Sequence, residues 1–165
     1  MAPSPSKHPF RENNQDSDNC RDNDLAGLLR AKNHTDRLRA LENLSEVGPI
    51  VQLATQDPHH RVRQAAVEKI TDQGLLGEIA RNDADYYVRL AAIRKIRDAR
   101  LLVQIILNSQ RDYYICKDAI AAISNQEVLA SLLQGLTDRD IKSAVVKRIE
   151  DQNVLASIAL RNSDF

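Results

Sequence analysis

Four histidines, two cysteines, four tyrosines and recurring Asp and Arg residues are the side chains of this 165-residue chain best suited to chemistry. His59 and His60 adjoin, but no cysteine or further histidine stands at zinc-ligand spacing from them, so no metal site and no cofactor is expected. Cys20 and Cys116 are too few and too far apart for a disulfide framework. Cys116 lies one step from the apolar Ile115 and reads as a small core residue. There is no glycine-rich phosphate loop, no G-x-S-x-G and no H-E-x-x-H. Carboxylates abound without any pair being marked, so no catalytic residue is expected and the chain reads as a non-enzyme. The remaining chemistry is recognition by tyrosines and arginines at regular positions.

Those positions are set by an internal repeat. VRQAAVEKITDQGLL begins at Val62, VRLAAIRKIRDARLL at Val88, ICKDAIAAISNQEVL at Ile115 and IKSAVVKRIEDQNVL at Ile141. The spacing is 26 residues, with one extra residue before Ile115. A weaker copy, DRLRALENLSEVGPI, starts at Asp36. Between the copies a second segment recurs, from Ile50, Leu76, Leu102, Leu129 and Leu155. Both segments carry apolar residues at helical spacing. Each unit therefore reads as a short helix A of about eight residues and a longer helix B; such short helices persist only by packing on their neighbours. Polar, often aspartate-rich corners join A to B. Asp85, Asp112 and Asp138 stand three residues before Val88, Ile115 and Ile141 and read as N-caps.

The bulk numbers agree with an all-α chain. Gly and Pro number five each, aromatic residues are 4 % and Trp is absent, so the core rests on Leu, Ile, Val and Ala. Residues 1–24 are polar and lack periodicity, and a disordered tail is expected there, with the repeats filling 25–165. No apolar run reaches the length of a membrane span and no signal peptide is visible, so a cytoplasmic protein without membrane contact is expected. Lys+Arg and Asp+Glu both number 23, which gives no general attraction to nucleic acid.

The strings D-P-x-x-x-V-R-x-A-A at Asp57–Ala66 and D-x-x-x-x-V-R-x-A-A at Asp83–Ala92 resemble the HEAT-repeat signature, most closely the short bacterial HEAT-like repeats. The resemblance spans about residues 25–165. It implies a right-handed α-α superhelix, or solenoid, of about five 26-residue two-helix repeats that binds proteins. The period is shorter than the ~40–47 residues of ordinary HEAT units, and Ile115–Cys116 stands where V-R is expected. The resemblance also implies that the V-R arginine pairs with the aspartate of the preceding corner, which would join Arg63 to Asp57 and Arg89 to Asp83 as a structural ladder. On a helical wheel Arg89 falls inside the apolar arc, in keeping with a half-buried, paired guanidinium.

On the opposite arc of helix B lie Tyr87, Leu90 and Arg94, their repeat partners Tyr114 and Lys117, and Arg61 and Lys147 in the end copies. Tyr86 and Tyr113 turn towards the core. Tyr87 and Tyr114 form either an exposed aromatic pair or a cover for the corners. Residues 59–71, 85–97, 112–124 and 138–150 together hold 12 Lys and Arg against 7 Asp and Glu. In HEAT-like arrays helix B lines the concave side, so the resemblance implies a mildly basic inner face; such a face is either a docking site for an acidic protein segment or simply solvated. The expected function is a non-catalytic protein-interaction scaffold. Two alternatives remain: a nucleic-acid binder related to the HEAT-like DNA glycosylases, and a phycobilin-lyase-like protein. Near Phe165 a helix A ends without its helix B, and self-association through that open end is a further expectation.

Overall fold

The computed structural model describes residue 27 and residues 32–162; the expected tail and the first residues of the repeat region lie outside this range. The described residues fold into ten α-helices with no strand. In chain order they are α1 (His34–Asn43), α2 (Val47–Gln56), α3 (His60–Val67), α4 (Gln73–Asn82), α5 (Tyr86–Lys95), α6 (Ala99–Asn108), α7 (Tyr113–Ala122), α8 (Gln126–Leu132), α9 (Arg139–Arg148) and α10 (Gln152–Asn162). Odd-numbered helices are the B helices and even-numbered ones the A helices. The expected difference in length is absent: most helices of both kinds have 10 residues. Each A helix starts three residues before its first repeated apolar position, at Gln73 rather than Leu76 for example, because the polar stretch ahead of the apolar run carries the cap.

The caps are themselves periodic. Asn33, His59, Asp85, Asp112 and Asp138 each accept a backbone N–H at the start of a B helix. Asp72, Asp98 and Asn125 do so for A helices, and the Asp151 carboxylate accepts from Asn153 at 2.8 Å at the start of α10. The three aspartates recognised in the sequence are thus part of a longer series. Each cap satisfies donors that the first helical turn leaves open.

Two rows of helices result. B packs on B in series, α1 on α3, α3 on α5, α5 on α7 and α7 on α9. Each A helix from α2 to α8 packs on the B helix that follows it, and α4 also touches α6. The core runs between the rows as a strip built from equivalent positions. Val62, Val88, Ile115 and Ile141 form one line, and Ala66, Ala92, Ala119 and Val145 another, all buried. In the A row the Leu101 side chain packs into the space beside Gly77, 2.8 Å from where an added Cβ would lie.

Charged rungs tie neighbouring repeats together, and their register differs from the expected one. Arg37 donates to both carboxylate oxygens of Asp57, at 2.7 and 2.9 Å. Arg63 does the same to Asp83, at 2.8 and 2.9 Å. Arg63 does not pair with the Asp57 carboxylate; it donates to the Asp57 carbonyl at 2.9 Å, just as Arg89 donates to the Asp83 carbonyl at 2.9 Å. The guanidinium holds its own corner by the backbone and reaches the carboxylate of the next corner, 20 residues on. Asp57 and Asp83 in turn accept from the backbone N–H of His59 and Asp85. Bidentate bonding raises the Arg37 and Arg63 guanidinium pKa values. Burial pushes the Asp83 carboxyl up, but bonding from Arg63 and from the Asp85 N–H outweighs it and holds the group below its usual range.

The third rung is altered. Ser109 caps the end of α6 as Asp57 caps α2 and Asp83 caps α4. Arg89 therefore reaches past it to Asp112, at 2.9 Å through one nitrogen only. On the fourth rung both members change character: Cys116 stands for the arginine, and Leu136 stands five residues before Ile141, as Asp57 does before Val62; both are buried. The Cys116 thiol keeps the arginine's inward bond, donating to the Ser109 carbonyl at 3.2 Å. The corner-to-corner link passes instead to Gln110, whose Oε1 accepts from the Thr137 N–H at 2.8 Å and from the Asp138 N–H at 3.3 Å.

Long side chains stitch the other edge. Lys69 Nζ donates to the Leu41, Glu42 and Leu44 carbonyls at the end of α1, and Lys95 Nζ to the Glu68 carbonyl at the end of α3. A cation at a helix C-terminus also opposes its dipole. Gln73 and Gln126 each accept a backbone N–H 24 residues on, from Arg97 and Glu150 at 2.8 Å. The side chains of Arg37 and Asp57 are only 7 % and 1 % exposed, whereas Asp112 is 39 % exposed. Asp57→Asn removes the buried carboxylate that Arg37 bonds through two nitrogens and is expected to cost about 3 kcal/mol or more. Asp112→Asn keeps a capping oxygen and is expected to cost about 1 kcal/mol or less. Urea unfolding of the two variants checks this order.

Candidate binding face on the B helices

The face singled out in the sequence is populated unevenly. Tyr87 and Tyr114, at the starts of α5 and α7, are 60 % and 68 % exposed. Arg61, Arg94, Lys117 and Lys147 are exposed as well. Leu90 is half-buried rather than turned fully outward. Tyr86 is half-buried and packs on the core as expected, but Tyr113 is 41 % exposed and does not. Each outer tyrosine meets the ring of the residue before it edge to face, with centroids 5.4 Å apart for Tyr86–Tyr87 and 5.8 Å for Tyr113–Tyr114.

The two tyrosine pairs differ because of one residue on the next helix. The Tyr86 hydroxyl donates to Asp118 Oδ2 of α7 at 2.7 Å, and this bond, with burial, pushes the phenol up to about 12. Arg94 lies near enough to Tyr86 for its charge to oppose that shift. Asp118 stands three residues after Ile115; three residues after Ile141 stands Ala144. Tyr113 thus lacks a carboxylate at the position on α9 that Asp118 holds on α7, and a groove of about 600 Å³ opens between α7 and α9. Tyr113 and Lys117 line one wall, Lys147 and Arg148 the other, with Ile120 and Ala144 as apolar lining. The structure brings Lys117 and Lys147 into this groove. Arg94 stands beside Tyr86, and Arg61 lies at the far end of the row on α3, where its charge acts on His59.

Arg61 borders a feature hidden in the sequence. His34 and His60 are 26 residues apart and begin α1 and α3, with the cap His59 between them. The His34 and His59 rings stack at 3.9 Å with planes 1° apart, and His59 and His60 lie 4.9 Å apart. Parallel rings direct their in-plane lone pairs side by side rather than towards a common point, and among the described residues no three His, Cys, Asp or Glu side chains form a metal-ligand group. Desolvation, followed by the charges of His34, His60 and Arg61, lowers the His59 pKa against the opposing pull of Asp57. His59 Nδ1 accepts from the Arg61 N–H, which requires an unprotonated nitrogen.

Sequence reading missed Arg37, Asp118, Ala144 and the histidine stack. The 26-residue offset could have found Arg37 from Arg63 and His34 from His60; Asp36, in the place of the usual valine, obscured the first. Cys116 has the opposite character from a reactive thiol. Desolvation, reinforced by the charges of Asp112 and Asp138, pushes it up to about 12. Iodoacetamide at about pH 8 is expected to leave Cys116 unlabelled until denaturant is added, as peptide mapping would reveal.

The pH dependence of stability has a definite sign. A lowered folded-state pKa means that the fold favours neutral His59. Its contribution is complete above the ordinary value of about 6.5 and disappears as pH falls through the lower folded value. The melting temperature is therefore expected to drop as the pH is lowered from about 6.5. His59→Asn retains a capping oxygen without titrating and should flatten the drop; equal slopes for the two proteins would count against this role of the stack. Among the described residues no helix is long and apolar enough to cross a membrane. The chain matches no family model, no curated protein and no solved structure.

Proposed function

We propose that the chain is a non-catalytic protein-interaction scaffold of the reducing cytoplasm, built as a short right-handed α-solenoid of about five HEAT-like repeats, and that it binds an acidic segment of another protein through its B-helix face. One observation carries this reading. Most carboxylates at the corners and along that face are engaged in the fold while four of its cations are not, although Glu68 and Asp140 are exposed there as well. Asp85, Asp112 and Asp138 cap helices, Asp118 holds Tyr86, and Asp57 and Asp83 sit in the rungs. Among the described residues, the side chains of Arg61, Arg94, Lys117 and Lys147 take part in no ion pair or hydrogen bond. Exposed tyrosines on adjoining helices, interspersed with uncommitted cations, are the composition of a recognition surface.

Equal totals of acidic and basic residues conceal this difference. Phosphate backbones demand a stronger basic excess than these cations supply, which favours a protein partner. The test is capture of partners from native lysate by the full chain and by a Tyr87→Ala, Arg94→Ala double variant of unchanged melting temperature. The variant is expected to lose at least one captured protein, and retention of every partner would remove the face from consideration. A salt-dependent gel shift with random duplex DNA would overturn the choice of partner.

A further inference from the structure

We propose that the groove between α7 and α9 is the anchoring site of that partner, and that it takes an extended acidic peptide carrying one apolar or aromatic side chain. The inference rests on the B-face reading and assigns it a place and a ligand chemistry.

The groove owes its existence to a broken repeat. One step earlier along the row, Asp118 bridges to Tyr86 and joins α7 to α5. The equivalent position on α9 is Ala144, which offers no acceptor and little volume. The space left, about 600 Å³, has Ile120, Ala121 and Ala144 as its apolar lining beside the exposed Tyr113 ring. Its charged lining is one-sided, with Lys117, Lys147 and Arg148 against Asp140. Arg148 is shared with Glu150 at 3.1 Å; the two lysines bond nothing among the described residues.

The dimensions suit a short linear segment. Helices α7 and α9 have 10 residues each, so the groove can run for about 15 Å and hold about five extended residues. An apolar side chain would cover the apolar lining, and flanking carboxylates would meet Lys117 and Lys147. Both lysines are exposed, so opposite charge mainly speeds and orients docking while the apolar anchor holds it.

The test is fluorescence anisotropy on the full chain, with a fluorescein-labelled twelve-residue peptide of Glu residues around one central Phe. A second peptide with Gln in place of every Glu is the charge control. The Glu probe is expected to bind, with the Gln probe at least about tenfold weaker. Lys117→Glu with Lys147→Glu, both at exposed positions that spare the core, should weaken the Glu probe by about tenfold or more. Ala144→Asp restores the carboxylate found one repeat earlier and should close the groove onto Tyr113, with a similar loss. Arg100→Glu on the A row should leave binding unchanged. If the Glu probe binds all variants equally, or binds none while the lysate partners are still captured, the groove assignment falls and the B-face reading stands. If partner capture also survives the Tyr87→Ala, Arg94→Ala change, both fall.

Discussion

A chain cut into helices of about ten residues leaves about two-thirds as many backbone groups open at helix ends as it satisfies within them. Every other feature of this fold answers that constraint. The Asp, Asn and His caps close the N-terminal ends. Lys69 and Lys95 close C-terminal ends of the preceding repeat. Arg63 and Arg89 each grip a corner carbonyl as well as reaching a carboxylate. Groups that would be ornamental on long helices become the means by which one repeat is fixed to the next. The ion pairs are best regarded as corner clamps with a charged tip rather than as free-standing sources of stability.

Much of this was legible in the sequence. The apolar lines, the alternation of two helices and the caps Asp85, Asp112 and Asp138 followed from period and residue type. The partner of each arginine did not. The HEAT-like resemblance implies a local pair, Arg63 with Asp57 six residues before it. Geometry sends the side chain instead across to the neighbouring corner, a relation that spans 20 residues and leaves no local mark. The groove was illegible for a similar reason. Ala144 is unremarkable by itself and acquires meaning only beside Asp118, once Tyr86 is seen to cross from α5 to α7.

Electrostatic character is also determined by commitment and not by count. Capping fixes carboxylates at the corners and neutralises them with backbone dipoles, whereas long cationic side chains extend past the corners. A chain with 23 charges of each sign can therefore present a locally basic face without any excess in composition. The unequal roles of short acidic and long basic side chains produce the separation.

The replacement of a charged rung by Cys116 and Leu136 bears on cooperativity. Charged clamps are directional and tolerate little sliding, whereas a greasy contact accepts small rotations and is insensitive to salt. The corner at residues 109–112 is thus a seam between two mechanical regimes. Helices before it should open together, as one block of amide hydrogen exchange, and those after it should open separately and at lower free energy. A groove on the softer side of such a seam can adapt its width while the stiffer half holds its shape.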